Sequence, residues 1–261
     1  KIKFIDELYI FAEMIGFFYS GAGGLSVVRE AIRLLPDERY IYYSDNAHCP
    51  YGEKSREYVT ERARAITRHL RERGCGIVTV ACNTATAAAI SSLRAEFDMP
   101  FVGMEPAVKP AAALTRSGVV GVLATAGTLR AEKYHDTRDR WSGDIRIVEH
   151  VGEGFVRLVE SGTTEGPEAE ETVRLSLQPL LDAGADTIVL GCTHYPFLLP
   201  LMKKIAGEDV RFIDPAPAAA KQLLKLMEEK GLIRHDGFSM ELEASGDDTT
   251  LRRLYETIAN N

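Results

Sequence analysis

Residues 77–84 read Ile-Val-Thr-Val-Ala-Cys-Asn-Thr, and residues 187–194 read Thr-Ile-Val-Leu-Gly-Cys-Thr-His. Each stretch places a short, β-branched apolar run before a cysteine and small polar residues, able to cap a helix, after it. The pattern predicts that Cys82 and Cys192 stand where a buried strand leads into a helix N-terminus. A thiol in that position ionises more easily than one in bulk water. Two such thiols, one in each half of the chain, suggest a pair of acid/base groups that face each other.

Apolar strands alternate with helical patterns along the chain, which is typical of an α/β fold with mainly parallel sheets. The strand-loop-helix that starts at Ile15 is echoed by another at Val119. We therefore predict two similar domains, each a mainly parallel sheet flanked by helices, with the active site in the cleft between them. The predicted first domain comprises 14–106 plus 217–261 and carries Cys82. The second comprises 107–216 and carries Cys192, and 1–13 is an N-terminal extension.

Composition narrows the class of protein. The chain has 261 residues, 45% hydrophobic and 26% charged, which suits one large or two medium globular domains. A formal net charge of -7 argues against a general nucleic-acid surface, but one local site can still bind a small anion. No apolar run is long enough to cross a membrane, and the first residues do not resemble a secretory signal. Four sparse cysteines then indicate free thiols and a cytoplasmic protein, and Met14 is a candidate natural start.

A glycine loop, residues 21–24 (Gly-Ala-Gly-Gly), lies between the first strand and the first helix. The dinucleotide fingerprint fails, because its third glycine would fall at Ser26. A nucleotide phosphate loop fails as well, because no Gly-Lys-Ser/Thr follows. Two interpretations stay open: a helix N-terminus that binds a carboxylate, and a tight turn that needs glycine.

The cysteine segments allow other chemistry. Cys192 and His194 are a candidate metal site, but no further ligand cluster completes it. A hydrolase with one cysteine and one histidine is a rival, although it leaves Cys82 without a role. Cys49 and Cys75 lack the strand-end context, and we interpret both as structural.

Three further features are ambiguous on the residues alone. Residues 45–52 form a turn-rich loop, which is either a substrate-contacting wall or a surface connection. Glu160 by itself counts as a solvated carboxylate. The arginines of the second predicted helix alternate with glutamates, and we interpret them as a solvated face.

Several of these runs together resemble glutamate racemase, in the aspartate/glutamate racemase superfamily. They occur in the family's order and spacing from about Ile15 onward, and the two cysteine motifs are specific in combination. The runs are residues 20–27 (Ser-Gly-Ala-Gly-Gly-Leu-Ser-Val), 50–52 (Pro-Tyr-Gly), 81–87 (Ala-Cys-Asn-Thr-Ala-Thr-Ala), 121–128 (Gly-Val-Leu-Ala-Thr-Ala-Gly-Thr) and 191–196 (Gly-Cys-Thr-His-Tyr-Pro).

The resemblance implies interconversion of L- and D-glutamate without a cofactor, which supplies D-glutamate for peptidoglycan and so for the cell wall and cell shape. The resemblance is also compatible with a homodimer. Pyridoxal phosphate would need a Schiff-base lysine, and no lysine lies in these motifs. The roles it implies are as follows: Cys82 and Cys192 as the two bases, acting on the D- and L-enantiomer respectively; His194 and Glu160 as assisting groups; Ser20, Asn83, Thr84 and Thr193 as substrate-holding residues; and Pro50, Tyr51 and Gly52 as the pocket wall.

The sequence departs from the family at two places. Tyr19 stands where the family's first strand normally ends in an aspartate that is thought to assist catalysis, and residues 152–154 (Gly-Glu-Gly) replace a Cys-Pro pattern. A tyrosine is neutral near pH 7 and cannot act as a carboxylate. Two rival functions follow: a racemase of another amino acid such as aspartate, and a weakly active binding or regulatory homologue.

Overall fold

Two separate parallel sheets form the framework of the protein. The computed structural model describes residues 14–143 and 145–259, so the predicted extension 1–13 lies outside the described residues. Within them, five strands form the first sheet and four form the second, and every strand pair is parallel. The predicted α/β fold with two parallel sheets is confirmed.

The first sheet has its most apolar strands at the centre. All residues of β1 (Met14–Tyr19) and β3 (Cys75–Val80) are buried, because helices cover both faces of a parallel sheet. The strand order is β4-β3-β1-β2-β9. Its remaining elements are α1 (Leu25–Leu34), β2 (Arg39–Ser44), α2 (Arg56–Glu72), α3 (Asn83–Glu96), β4 (Phe101–Gly103), α10 (Ala216–Lys230), β9 (Ser239–Ala244) and α11 (Thr249–Ala259).

The second sheet has the order β6-β5-β7-β8. Side chains of its central strand alternate between two cores: Val120 and Val122 pack on one face, and Leu123 joins the core shared with the first sheet. Its elements are α4 (Val108–Leu114), β5 (Val119–Ala124), α5 (Ala126–Leu129), α6 (Glu132–Ser142), β6 (Arg146–Val151), α7 (Phe155–Ser161), α8 (Pro167–Asp182), β7 (Thr187–Gly191), α9 (Leu199–Ala206) and β8 (Arg211–Ile213).

The C-terminal segment lies beside the first sheet. Strand β9 pairs with β2 in parallel, and helix α10 packs against α1. The residue boundaries assigned to the two domains stay a prediction. Among the described helices, none is long and apolar enough to cross a membrane.

The carboxyl ends of the two sheets meet. Cys82 follows β3, Cys192 follows β7, and the hydroxyl of Thr193 donates to the carbonyl oxygen of Ala81 at 3.0 Å. The segments that carry the two cysteines are therefore in direct contact across the junction. This is the edge at which α/β proteins bind ligands.

A helix follows only one of the two cysteines directly. Cys82 is the N-cap of α3, and its sulfur accepts the amide of Ala85 at 3.3 Å. Cys192 is followed instead by a short 3₁₀ turn, Tyr195–Leu198, before α9 begins. The prediction of an α-helix N-terminus is wrong for Cys192, because Pro200 would fall inside a helix that began there and lacks the N–H that such a helix needs.

Candidate active site at the junction of the two sheets

The Cys82 thiol is buried and surrounded by backbone amides. Only 3% of the residue is exposed. Burial raises the pKa of Cys82 to about 12, despite hydrogen bonds from the amides of Ala85, Thr84 and Ser20. The prediction that a helix N-terminus makes this thiol easy to ionise is therefore wrong in this arrangement, because the loss of water outweighs the amide dipoles.

The Cys192 thiol has side-chain partners instead. Its sulfur lies 3.3 Å from the hydroxyl of Tyr19 and 3.8 Å from Nδ1 of His194. The Tyr19 hydroxyl is also 2.8 Å from the same Nδ1. All three residues are buried. The aromatic residue that departs from the family pattern thus contacts both members of the second cysteine motif.

Glu160 completes this group from helix α7. One of its carboxylate oxygens is 2.5 Å from Nε2 of His194 and accepts the Ala22 amide at 2.8 Å. Burial alone would lower the pKa of His194, but the hydrogen bonds to Cys192 and Glu160 and the Glu160 charge raise it to about 9. Burial would raise the pKa of Glu160, and its bonds to His194 and Ala22 hold it below its ordinary value. The two side chains form an ion pair in which the imidazole is buried and the carboxylate is 23% exposed.

The glycine loop fits closely against this pair. A Cβ on Gly23 would lie 2.6 Å from the ring of His194, and one on Gly21 would overlap the Glu160 carboxylate. Glycine is therefore needed for close approach, and neither residue adopts a positive φ. The carboxylate-binding interpretation of the loop finds an occupant within the protein, since the Ala22 amide binds Glu160.

A cluster of threonine hydroxyls lies beside the Cys82 motif. The Thr84 hydroxyl is 2.9 Å from that of Thr125 and 3.3 Å from that of Thr128. Thr125 and Thr128 were not singled out from the sequence as site residues. The signal for Thr125 is its position directly after β5, which corresponds to the strand-end position of the cysteines, and Thr128 lies in the short helix that follows.

Asn83 is buried beside this cluster. Both of its amide atoms lack a hydrogen-bond partner within the described part of the chain. With Thr128 and Met104, it lines a small separate cavity. Buried side-chain amides are nearly always paired in folded proteins. Asn83 is thus the polar group here that is most in need of a partner.

A cavity of about 750 Å³ opens where the loop after β2 faces the second sheet. Pro50, Gly52 and Glu160, all predicted from the sequence, line it, and so does Cys49. The interpretation of Cys49 as structural stays a prediction: the half-buried residue lines the cavity, while its thiol donates to the Ser20 hydroxyl. Cys75, by contrast, is buried in the sheet against Gly16. Neither Cys82 nor Cys192 lines the cavity; its lining residue Glu160 contacts His194, which in turn contacts Cys192.

A buried carboxylate, Asp45, holds the loop of residues 45–52 that forms one wall of the cavity. Asp45 is fully buried, accepts two hydrogen bonds from Arg62 at 2.9 and 2.7 Å, and accepts the Tyr51 hydroxyl at 2.5 Å. The interpretation of the α2 arginines as a solvated face is wrong for Arg62, because a buried acid lies within its reach. Tyr51 commits its hydroxyl to Asp45 and does not line the cavity.

Two other predicted contacts are also directed inward. The Ser20 hydroxyl is buried and accepts a weak hydrogen bond from the Cys49 thiol at 3.9 Å. The Thr193 hydroxyl is bound to Ala81, so its side chain links the two halves of the site. Within residues 14–143 and 145–259, no group of three or more His, Cys, Asp or Glu could hold a metal ion.

Two parallel α/β sheets carry one cysteine each at their facing ends, and comparisons with known proteins assign such a site to the racemases, a class of isomerase. The model of the Asp/Glu/Hydantoin racemase family matches residues 23–223. A glutamate racemase from Roseiflexus sp. (strain RS-1) is 49% identical over 225 residues, which cover 86% of this chain and 83% of that protein. This chain belongs to the Asp/Glu/Hydantoin racemase family.

Solved structures are similar over nearly the whole chain. Glutamate racemase isoform RacE1 from Bacillus anthracis superposes with a TM-score of 0.86 at 30% identity, covering 96% of this chain and 95% of that one. Escherichia coli glutamate racemase, solved with L-glutamate and an activator, gives a TM-score of 0.84 at 35% identity, covering 94% of each chain.

Proposed function

We propose that this enzyme interconverts L- and D-glutamate without a cofactor, using Cys82 and Cys192 as bases on opposite faces of the substrate Cα. The observation that carries the proposal is the contact between Thr193 and Ala81, which holds the two cysteine segments together from different sheets. Racemisation needs a proton removed from one face and another delivered to the opposite face. One base from each sheet meets that need.

The protonation states of the site support a defined order of events. Cys82 starts as a thiol, because its pKa is raised to about 12 by burial. For L-glutamate, a Cys192 thiolate removes the Cα proton, and the Cys82 thiol delivers its own proton from the other side. The reaction leaves Cys192 as thiol and Cys82 as thiolate, which is the state that D-glutamate requires for the reverse reaction.

Substrate binding is assigned to polar groups around the thiols. Asn83 offers an amide that has no partner among the described residues, and Thr84 offers a hydroxyl within the threonine cluster. Ser20 and the backbone amides near both cysteines supply further donors for the substrate carboxylates. Pro50 and Gly52 line the cavity through which glutamate enters. The backbone of Gly52 lies so close to Thr125 that a Cβ there would approach it to 2.9 Å, so glycine is needed at this point of the wall.

The cellular role follows from the substrate. We propose that the enzyme works in the cytoplasm and supplies D-glutamate for peptidoglycan. Glutamate is the small-molecule partner that the site requires.

A substrate panel tests the proposal. Circular dichroism follows the loss of ellipticity as the enzyme racemises D- or L-glutamate, or D- or L-aspartate. A Cys82→Ser/Cys192→Ser double variant is the inactive control. We expect turnover of both glutamate enantiomers that far exceeds that of aspartate. Preferred turnover of aspartate would assign another racemase activity, and glutamate binding without turnover would assign a binding homologue.

A further inference from the structure

Tyr19 occupies a position that the proposed reaction leaves unexplained. It is the last residue of β1, in the first sheet, yet its hydroxyl contacts Cys192 and His194 of the second half of the site. Its ring also packs against the His194 ring, with centroids 4.9 Å apart. The side chain is 3% exposed. It is therefore fixed between two reactive groups.

The distances make the hydroxyl a bridge between them. Cys192 and Nδ1 of His194 are 3.8 Å apart, so their direct hydrogen bond is long and weak. The Tyr19 hydroxyl lies 3.3 Å from the sulfur and 2.8 Å from the nitrogen. Each of these two contacts is shorter than the direct one, so the phenol oxygen links the thiol to the imidazole in two short steps.

The contact of Glu160 with Nε2 determines which nitrogen of His194 titrates. Glu160 accepts the Nε2 proton of His194 and the Ala22 amide proton, so Nε2 stays protonated. Nδ1 is then the nitrogen that gains or loses a proton, and it faces Tyr19. Burial, together with the charges of Cys192 and Cys82, raises the pKa of Tyr19 well above its ordinary value, so the phenol keeps its proton.

We infer that Tyr19 is a positioning residue that couples the Cys192 thiol to the His194–Glu160 pair through its hydroxyl. The inference rests on the proposed function for the role of Cys192 as a base. In the coupling step the Cys192 S–H bond breaks and its proton passes to the Tyr19 oxygen, while the original Tyr19 proton passes to Nδ1. The products are a thiolate, an unchanged phenol that donates to it, and an imidazolium paired with Glu160.

Removal of the Tyr19 hydroxyl should change the ionisation of Cys192 in a defined direction. Without the phenol donor, the Cys192 thiolate loses a hydrogen bond from a neutral group and its short link to the imidazolium, so the thiol ionises at higher pH. Other titratable groups face the same cluster within the described residues, and they stay in place in a Tyr19→Phe variant. They are Cys82, Cys49, Tyr42 and Tyr195.

The test compares Tyr19→Phe with Tyr40→Phe. Tyr40 is a buried tyrosine of the same sheet whose hydroxyl donates to the Leu35 carbonyl at 2.6 Å, outside the site. In Tyr19→Phe we expect kcat to fall about 10- to 100-fold with KM within about threefold, and the acid limb of kcat/KM to move up by about one pH unit. Tyr40→Phe keeps the wild-type rate and pH profile.

A second readout does not depend on turnover. The pH dependence of iodoacetamide alkylation, measured at each cysteine by mass spectrometry, is expected to shift upward at Cys192 in Tyr19→Phe and to stay unchanged at Cys82. An unshifted Cys192 profile would overturn the inference. If the wild-type protein fails to racemise glutamate, the proposed function fails, while this readout still tests the coupling.

A double-variant cycle separates coupling from packing. In a His194→Asn background the imidazole is absent, so Tyr19→Phe is expected to change kcat less than about threefold. The same loss in both backgrounds would mean that Tyr19 supports only the shape of the site, and would contradict the inference.

Discussion

Cys82 and Cys192 stand at equivalent positions, each at the carboxyl end of a strand, but the groups around them differ in kind. Backbone amides at a helix N-terminus surround Cys82. Cys192 instead lies beside ionisable side chains. Tyr19 links its sulfur to the His194 imidazole, which is paired with Glu160. Amide dipoles cannot accept a proton, whereas an imidazole can. The two halves of the site therefore handle the same thiol chemistry by different means, and the half with the imidazole is the one suited to hold the thiolate in the free enzyme.

Removal of either thiol should have the largest effect. Cys82→Ser and Cys192→Ser are each expected to lower the racemisation rate by at least about a thousandfold, because each removes one of two obligatory bases. The measurement is circular dichroism of both glutamate enantiomers. Cys75→Ser is the matched control, since Cys75 is a buried free cysteine outside the site, and it should keep full activity. Substantial activity in either active-site variant would contradict the two-thiol scheme.

Loss of the carboxylate on the Cys192 side should come next. Glu160→Gln removes the partner that keeps Nε2 protonated and the imidazole cationic, so we expect a fall in kcat of about tenfold or more. Glu243→Gln serves as the control, because it alters a partly exposed carboxylate that contacts His69 outside the site. Equal rates for the two variants would remove the assigned role of Glu160.

The same pair predicts a pH dependence of stability. The pKa of His194 is raised in the folded protein to about 9 from an ordinary 6.5. Its contribution is therefore complete below about pH 6.5 and is lost as the pH rises through 9. We expect the free energy of unfolding to fall by on the order of 2 kcal/mol across that window. Denaturation of wild type and Glu160→Gln at pH 6 and 9.5 checks this, and the variant should lose less. An equal loss in both would contradict the ion pair.

The link between the halves should have the smallest effect on rate. Thr193→Val removes the hydrogen bond to the Ala81 carbonyl, so kcat should fall a few-fold and stability by about 1 kcal/mol. Thr67→Val is the control: it deletes a buried hydroxyl that bonds within α2. A kcat for Thr193→Val equal to that of this control would show that the contact does not position the thiols.

The fold and the two cysteine positions could be predicted from sequence because both depend on local patterns. The hydrophobic repeats that predict strands and helices are set by residues close in sequence, and each of the two cysteines follows a predicted strand. The contacts between distant segments could not be predicted: Glu160 on the Ala22 amide, Arg62 on Asp45, and the Gly23 backbone against His194. Each depends on how one sheet edge meets another, which no local period encodes.

Burial also reversed one prediction. A helix N-terminus lowers the pKa of an exposed thiol, but Cys82 is shielded from water to an extent that its sequence neighbours do not reveal. Tyr19 shows the converse case. A departure from the family pattern suggested the loss of a catalytic group, while the structure gives the tyrosine hydroxyl two reactive partners.

The isotope content of product and residual substrate at early times in D2O tests the two-sided mechanism most directly. L-Glutamate with protium at Cα is incubated with the enzyme, and both enantiomers are separated and analysed by mass spectrometry before a tenth of the substrate has turned over. Two singly protonated bases on opposite faces predict D-glutamate that carries deuterium at Cα beside L-glutamate that keeps its protium. Protium retained in the D-glutamate would mean that one base moves the same proton, and would contradict the account.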